Sequence, residues 1–329
     1  KENKVQKLLI FFILIFNFFI LSIFIHANNI FISNENSDTV VVLDAATKEL
    51  VKTIDTGGRP RDLKFNKNFS KLYVVISEEN HILEIDTEKL EIIDKIETGD
   101  DPEIFDIDFN NNLIAVSNED DNELTLIDLN KKEIIQSIKD VGVEPEGVNF
   151  TPDGNLVYVT SEGTSSVLII DVPKREIVNE ILVENRPRRG LFVNNGKEYW
   201  VSNELSGTVS VIDTKMQELI KTIKFSIKGI RNQQITPVDF AYAKNKNLVF
   251  VTLGSANHVA VVDALTHKII EYILVGKRVW GADVDLAEEE LIVTNGNSDD
   301  ISVVDLNRLL AIKSIPVGKT PHSVRIKNK

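Results

Sequence analysis

Charged and aromatic residues flank a recurrent Gly-x-x-Pro pattern in this chain. The pattern occupies residues 57–60, 99–102, 142–145 and 318–321. The positions directly before and after this proline, or its equivalent in other repeats, carry Arg59, Arg61, Glu103, Glu146, Arg186, Arg188, Arg278, Trp280 and His322. Guanidinium groups bind carboxylates through paired hydrogen bonds, and an indole ring offers an apolar face for stacking. If the fold gathers these positions, they could bind a small, planar, anionic ligand.

The same residues allow two further interpretations. The arginines and glutamates could pair only with each other, since exposed ion pairs contribute about 0–1 kcal/mol and require no ligand. Glu103 or Glu146 could instead act with His322 in a lactonase-like hydrolysis, because carboxylates and imidazoles are common acid–base groups. No Ser-His-Asp set and no phosphate-binding loop can be assigned in the sequence. We therefore assign no catalytic residue, and a binding protein is favoured over an enzyme.

Seven aspartates mark the repeats that must position these side chains. Each ends a Val/Ile-rich segment, and the successive spacings are 42, 42, 43, 42, 50 and 42 residues. These residues are Asp44, Asp86, Asp128, Asp171, Asp213, Asp263 and Asp305. A period of about 40–45 residues that contains only strands and turns is typical of β-propeller blades. The sequence therefore predicts an all-β, seven-bladed β-propeller with four-stranded antiparallel blades.

Residues 145–187 show how one blade is built. The segments EGVNF, LVYVT and VLIID and the stretch 176–183 alternate with turns that contain Pro, Asp and Gly. Such segments are typical of strands, and such turns reverse the chain. In an antiparallel blade, the turn that enters the innermost strand lies on the same face as the turn after the second strand. The residues around each proline are therefore expected at the rim of one channel mouth.

The two ends of the array are out of phase with the blades. After residue 27 the chain enters at a second strand, residues 30–33, and it ends in an innermost strand, residues 321–326. We expect the C-terminal strand to join the N-terminal blade, because this pairing removes two open sheet edges.

The repeats resemble those of YVTN-type propellers. Their consensus appears as YWVSNELSGTVSVID (199–213) and LIVTNGNSDDISVVD (291–305), and the resemblance covers residues 30–327. The region from residue 237 to residue 324 is similar to the exported propeller family associated with PQQ-dependent alcohol catabolism. This resemblance implies a periplasmic accessory or binding protein whose partner is a quinoprotein dehydrogenase or a c-type cytochrome. A structural surface-layer propeller is the remaining alternative.

The chain departs from the quinoprotein dehydrogenases themselves. Those enzymes carry repeated tryptophan motifs and a cysteine pair, whereas this chain has two tryptophans and no cysteine. We therefore expect no cofactor. The lack of cysteine also excludes disulfides, thiol nucleophiles and thiolate metal sites. The net charge of −13 disfavours a nucleic-acid partner, because an acidic surface repels phosphate backbones.

Residues 1–27 have the layout of an export signal. Three lysines precede an apolar stretch from Leu8 to Ile25, and the small residue Ala27 follows. The stretch also approaches the roughly 17–25 residues that span a bilayer. A signal peptide and an uncleaved signal anchor therefore both fit, and the anchor would be the one membrane contact. In either case residues 28–329 are expected to form one propeller domain that is periplasmic or otherwise exported.

Two further features bear on function. The spacing of 50 residues between Asp213 and Asp263 reflects an insertion at residues 225–234, which predicts a lid or docking loop at the mouth. His81, His258, His267 and His322 fall at different points of the blade plan, and turn propensity explains the acidic residues 119–121. The sequence therefore predicts no metal site.

Overall fold

The computed structural model describes residues 28–327 as seven four-stranded antiparallel sheets that form a ring. This confirms the predicted all-β, seven-bladed architecture. The expected signal segment, residues 1–27, lies outside the described residues. Within residues 28–327, no helix has both the length and the hydropathy that crossing a membrane requires.

Strands are numbered in chain order, and each blade supplies one strand to each of four positions. The innermost strands are β4 (Pro60–Phe65), β8 (Pro102–Asp108), β12 (Pro145–Phe150), β16 (Pro187–Val193), β20 (Phe240–Ala243), β24 (Val279–Val284) and β28 (Pro321–Ile326). The second strands are β1 (Asn29–Asn34), β5 (Lys71–Ile76), β9 (Leu113–Asn118), β13 (Leu156–Ser161), β17 (Glu198–Asn203), β21 (Leu248–Thr252) and β25 (Glu290–Asn295).

The remaining strands lie toward the outside of the ring. The third strands are β2 (Thr39–Asp44), β6 (His81–Asp86), β10 (Glu123–Asp128), β14 (Ser166–Asp171), β18 (Thr208–Asp213), β22 (His258–Asp263) and β26 (Asp300–Asp305). The outermost strands are β3 (Leu50–Asp55), β7 (Glu91–Glu97), β11 (Glu133–Lys139), β15 (Glu176–Leu182), β19 (Glu218–Lys224), β23 (Ile269–Leu274) and β27 (Leu310–Pro316). Short 3₁₀ turns occur at Glu35–Ser37, Ser77–Glu79, Asn232–Gln234 and Gly254–Ala256.

The second and third strands form the core because neighbouring blades cover both of their faces. In β13, with sequence LVYVTS, every residue after the first is buried, whereas β11 buries only Ile138. A strand buried on both faces needs a continuous apolar run, and a strand at the outer edge does not. Apolar clusters therefore lie between blades, as where Trp200 and Val211 pack with Val249 and Val262.

The recurring aspartates fix the turns at the ends of the third strands. Asp44 Oδ1 accepts hydrogen bonds from the backbone N–H groups of Ala46 (2.9 Å) and Thr47 (2.7 Å). The same arrangement occurs at Asp86, Asp128, Asp213, Asp263 and Asp305. The bond from Thr47 has the largest effect on Asp44, and these bonds together lower its pKa. The residues that reveal the repeats are thus turn-forming residues.

Strand β28 completes the N-terminal blade, as predicted. In the antiparallel pair with β1, Ile326 lies opposite Ile30 and Val324 lies opposite Ile32. The adjacent turn adds a hydrogen bond from the Glu35 N–H to the Thr320 carbonyl (2.9 Å). The two ends of the described chain therefore close the ring through one sheet.

Candidate functional site

All nine predicted residues meet at one mouth of the central channel, in two layers. The upper layer consists of the residues that precede the innermost strands, and the side chains of Arg59, Arg186 and Arg278 are 32%, 42% and 19% exposed. The lower layer consists of the second residues of those strands. Its members Arg61, Glu103, Glu146, Arg188 and His322 are at most 6% exposed, and Trp280 is half-buried.

This separation corrects the expectation that both sets lie at the rim. Inward-pointing side chains of seven innermost strands converge on a narrow axis, so the lower layer becomes buried. The upper-layer residues sit on turns above the strands and keep contact with solvent.

A recurring hydroxyl group holds the backbone of the lower layer. Thr160 Oγ1 accepts the N–H of Gly147 in its own blade (2.7 Å) and donates to the Arg188 carbonyl in the next blade (2.5 Å). Equivalent hydroxyls donate in the same way: Ser33 to Arg61, Ser117 to Glu146, Ser202 to Val238, Thr252 to Trp280 and Thr294 to His322. The repeat scaffold therefore fixes the main chain of the site.

The upper-layer residues have left-handed backbone conformations. The φ angles of Arg59, Arg186 and Arg278 are 61°, 56° and 56°, values that are uncommon for non-glycine residues. Asp38 Oδ1 accepts the Arg59 N–H (3.2 Å), and Asn257 Oδ1 accepts the Arg278 N–H (2.9 Å). These turn bonds stabilise the conformation that presents the side chains above the channel.

Buried ion pairs connect the lower layer across blades. Arg61 pairs with Glu103 and approaches Glu146 Oε1 at 3.7 Å. Arg188 pairs with Glu146 Oε1 at 3.1 Å and also with Glu162. Because buried charges are costly to desolvate, removing one partner leaves the others uncompensated. The network is therefore a rigid support for the upper layer.

Arg278 links Trp280 to this network. Its guanidinium carbon lies 4.2 Å from the Trp280 ring centroid, and its Nη2 lies 2.8 Å from Glu204 Oε1. Arg188 approaches the same ring at 5.8 Å, and the His322 ring centroid lies 5.3 Å away. A cation over an indole face contributes about 0.5–2 kcal/mol. A ligand that stacks on Trp280 therefore competes with Arg278 for that ring.

Four glutamates outside the predicted set complete the mouth. Glu35, Glu119, Glu162 and Glu204 directly follow second strands. Glu35 Oε1 pairs with Arg59 Nε (3.0 Å), and Glu162 Oε2 pairs with Arg186 Nε (2.6 Å). The sequence prediction did not include Glu35, Glu162 and Glu204, and it assigned Glu119 to a turn. The tripeptide Ser-Asn-Glu at residues 33–35, 117–119 and 202–204 could have revealed three of the four. The signal in the sequence was a glutamate that recurs directly after the second strand of several blades.

Carboxyl groups at the mouth differ in proton affinity. Burial raises the pKa of Glu103 to about 8 against the effect of Arg61, and it raises the pKa of Glu119 to about 7. Burial acts in the same direction on Glu146, but Arg188 and Arg61 overcome it and lower its pKa. Burial, together with the surrounding arginines, lowers the pKa of His322 well below its ordinary value. The mouth thus combines a neutral imidazole with carboxyls that hold protons near neutral pH.

Two groups of carboxylates come close enough to share a cation. One oxygen each from Asp101, Glu103 and Glu119 lie within 4.8 Å of one another, and the same holds for Glu119, Glu144 and Glu162. Asp101, Glu103 and Glu119 belong to one blade, and Glu144 and Glu162 belong to the next, so their spacing in the sequence gave no metal motif.

The predicted insertion borders the mouth. Phe225 and Ile235 are buried at its base, and the Ser226 N–H donates to the Tyr272 hydroxyl (3.0 Å). Its tip exposes Lys228 and Arg231. The loop is therefore anchored at both ends and presents a basic tip.

A polar cavity of about 110 Å³ lies deeper in the channel, with Lys64, Arg189, Asp239 and Arg325 in its lining. Arg189 and Arg325 both pair with Asp62 Oδ1, at 3.4 Å and 3.3 Å. The space could hold roughly three or four water molecules at about 30 Å³ each. The channel therefore stays polar below the mouth.

Comparisons with solved structures return the same fold. Hydrazine synthase from Kuenenia stuttgartiensis is 18% identical, with a TM-score of 0.74 over 84% of this chain and 91% of that chain. The periplasmic gluconolactonase PpgL from Pseudomonas aeruginosa is 16% identical, with a TM-score of 0.76 over 91% of this chain and 99% of that chain. A protein from Bacteroides uniformis described as a putative 6-phosphogluconolactonase has the same four values. At these identities the similarity establishes the fold alone.

The sequence comparisons define the family. No curated protein matches this chain significantly. The profile of the YNCE-like beta-propeller family matches residues 20–288, which is most of the chain. Together with the seven four-stranded blades, this match shows that the chain belongs to the YNCE-like beta-propeller family.

Proposed function

We propose that this protein is an exported binding or accessory propeller whose channel mouth accepts a small ligand that carries a carboxylate. The main support is the contrast between the partly exposed upper-layer arginines and the buried, ion-paired lower layer. An exposed guanidinium can exchange one carboxylate partner for another without disturbing the core beneath it. The lower layer supplies the rigid support that a binding site requires.

The ligand carboxylate would take the place of Glu204. This side chain lies between two upper-layer arginines, with Oε2 at 3.4 Å from Arg186 Nε and Oε1 at 2.8 Å from Arg278 Nη2. Trp280 lies next to Arg278, so a planar group attached to the carboxylate would reach the indole ring. Displacement of an internal carboxylate thus accounts for the preference for an anionic, planar ligand.

Ligand-induced thermal shifts test this proposal. The wild type would be screened against gluconate, pyrroloquinoline quinone and aromatic carboxylates, together with Arg278→Ala and the control Arg308→Ala. Arg308 is exposed and follows β26, on the opposite face. We expect a carboxylate to raise the melting temperature of the wild type and Arg308→Ala but not of Arg278→Ala. If no carboxylate stabilises the wild type at millimolar concentration, the mouth is not an anion site.

The pathway and the location belong to the same proposal. A role beside a quinoprotein dehydrogenase or a c-type cytochrome rests on the resemblance of residues 237–324, and export rests on residues 1–27. The basic tip of the insertion is a suitable docking element for an acidic partner. Co-purification from periplasmic extracts tests both points, with Lys228→Glu/Arg231→Glu as the variant expected to lose the partner. Recovery of the chain without either class of partner would remove the accessory role.

Lactone hydrolysis is the second candidate function. It is favoured by two groups of the lower layer, Glu103 with its pKa raised to about 8 and His322 with its pKa lowered, since such groups can exchange protons with a substrate near neutral pH. Two similar solved structures carry lactonase names. We expect Glu103→Gln to reduce hydrolysis on a lactone panel by at least about 100-fold if this function holds. Wild-type rates equal to the uncatalysed background would exclude it.

A further inference from the structure

We propose that the channel mouth binds one hard divalent cation in an acidic pocket formed by Asp101, Glu103 and Glu119, with Glu144 and Glu162 at its border. This inference is independent of the proposed ligand, because it rests on the acidic half of the mouth and not on Arg186, Arg278 and Trp280. Arg59 borders the pocket and pairs with Asp101 Oδ1 (3.5 Å) and Glu103 Oε1 (3.2 Å).

The first support is the spacing of the carboxylate oxygens. In each of the two groups that contain Glu119, all three oxygens lie within 4.8 Å of one another. An ion bound at 2.3–2.6 Å, the range for Ca²⁺ and oxygen, can bridge atoms at such separations. Glu119 is common to both groups and is therefore the central ligand.

The second support is the balance of charge within the mouth. Five arginines face seven buried or half-buried carboxyl groups, so two negative charges are in excess when all seven are ionised. The carboxylates are Glu35, Asp101, Glu103, Glu119, Glu146, Glu162 and Glu204. Uncompensated buried carboxylates are unfavourable, and one divalent cation would neutralise the excess.

The third support is a buried carboxylate oxygen that accepts no hydrogen bond within the described residues. Glu146 is 1% exposed, and the closest contacts of its two ion pairs both use Oε1. Its Oε2 accepts no hydrogen bond from the described residues. Glu146 also acts electrostatically on Asp101, Glu103, Glu119 and Glu162, so it lies beside the pocket, although it belongs to neither group of three. A cation in the pocket would offset the negative charge of Glu146.

Backbone hydrogen bonds already hold the ligand residues in place. The Glu119 N–H donates to the Asp101 carbonyl (3.1 Å), and the Glu162 N–H donates to the Glu144 carbonyl (2.9 Å). Each bond ties the turn after a second strand to the start of the innermost strand in the same blade. Because every proposed metal ligand is a carboxylate oxygen, the pocket suits Ca²⁺, Mg²⁺ or Mn²⁺ better than Zn²⁺ or Cu²⁺.

Calorimetric titration of the metal-free protein with CaCl₂ tests the proposal, with MgCl₂ and MnCl₂ as parallel probes and no organic ligand present. We expect saturable binding of one ion per chain and a higher melting temperature in the presence of that ion. Glu119→Gln should weaken the binding at least tenfold. Asp121→Asn, which changes an exposed acid two residues away, should alter it less than twofold.

A folding control accompanies the binding measurements. Glu119→Gln must retain a cooperative thermal transition without metal; if it does not, Asp101→Asn takes its place with the same expected loss. Three results would overturn the proposal: no saturable binding of any of the three ions up to 10 mM, equal affinity in wild type and ligand variant, or equal loss in Asp121→Asn. Failure here would leave the carboxylate thermal shifts unaffected, so the two proposals can be separated.

Discussion

Glu103 and Glu146 occupy the same lower-layer position in adjacent blades, yet the pKa of Glu103 rises to about 8 and that of Glu146 falls. Burial favours the protonated form of both. The difference comes from their neighbours. Arg188, Arg61, Arg189 and Arg59 all lower the pKa of Glu146, whereas Glu146 and Glu119 raise that of Glu103 against Arg61 and Arg59. At the residue scale, the partners of a buried charge therefore decide its chemistry.

Arg188 is the residue on which the lower layer depends most. It pairs with Glu146 and Glu162 and lies 3.8 Å from Glu204. We expect Arg188→Ala to lower the free energy of unfolding by about 3–5 kcal/mol, because it leaves buried carboxylates unpaired. Urea denaturation at pH 7 measures this change. The control Arg308→Ala should stay within about 0.5 kcal/mol of the wild type, and a loss below 1 kcal/mol for Arg188→Ala would contradict the account.

Asp283 should give the stability an unusual dependence on pH. Burial raises its pKa to about 6 against the effect of Arg325, while the unfolded value is about 4. The folded state therefore binds this proton more tightly, and the associated stability, present below about pH 4, is lost as the pH rises through about 6. We expect a loss on the order of 3 kcal/mol from this group.

Asp283→Asn isolates the effect, since the amide does not titrate. The difference in unfolding free energy between wild type and Asp283→Asn, followed by urea denaturation from pH 4 to pH 7, should change steadily in favour of the variant. Parallel curves for the two proteins would show that Asp283 does not carry the raised pKa.

At the element scale, one hydroxyl in each of six blades joins neighbouring innermost strands. Six blades use Ser or Thr for this purpose, and the corresponding position in the second blade is Val75. The bridge satisfies a buried N–H in one blade and a buried carbonyl in the next. The alignment of neighbouring blades therefore depends on this Ser or Thr side chain. In the sequence repeats, the same residue looks like any other residue of the second strand.

Thr160→Val should expose the contribution of one bridge. The substitution keeps the side-chain shape but leaves the Gly147 N–H and the Arg188 carbonyl without their partner. We expect the free energy of unfolding to fall by about 1–3 kcal/mol, the usual cost of buried unsatisfied groups. Thr222→Val, at an exposed position of the outermost strand β19, is the matched control. Equal effects of the two substitutions would mean that the bridge adds nothing.

At the scale of the whole molecule, the C-terminal strand holds the ring closed. Deleting residues 317–329 removes β28 and uncovers β1, whose Ile30 and Ile32 are buried against it. An open edge and exposed apolar residues should lower the melting temperature by well over 10 °C. Removing only residues 328 and 329 preserves β28 and serves as the control. An unchanged melting temperature in the longer deletion would show that closure does not stabilise the propeller.

Much of this architecture could be predicted from the amino-acid sequence. The seven turn-forming aspartates predicted the number of blades. The chain enters the propeller at a second strand and ends in an innermost strand, which predicted that β28 closes the ring. The location of the nine predicted residues at one mouth followed from the blade plan, and their role in ligand binding stays a prediction. Their division into two layers was not predicted, since the burial of Arg61 and Arg188 depends on how narrowly seven strands converge. Glu35, Glu162 and Glu204 were not predicted and Glu119 was assigned to a turn, because the turn after the second strand was read only for turn chemistry.

The amino-acid sequence by itself determined the blade count, the order of strands and which turns share a face, because these follow from local periodicity and turn chemistry. Only the tertiary structure decided which charges are buried, which arginine pairs with which glutamate, and that Glu119 lies close to Glu144 and Glu162 of the next blade. The physical reason is that electrostatic energies depend on distance and burial, and both are set when separate blades meet at the axis of the ring.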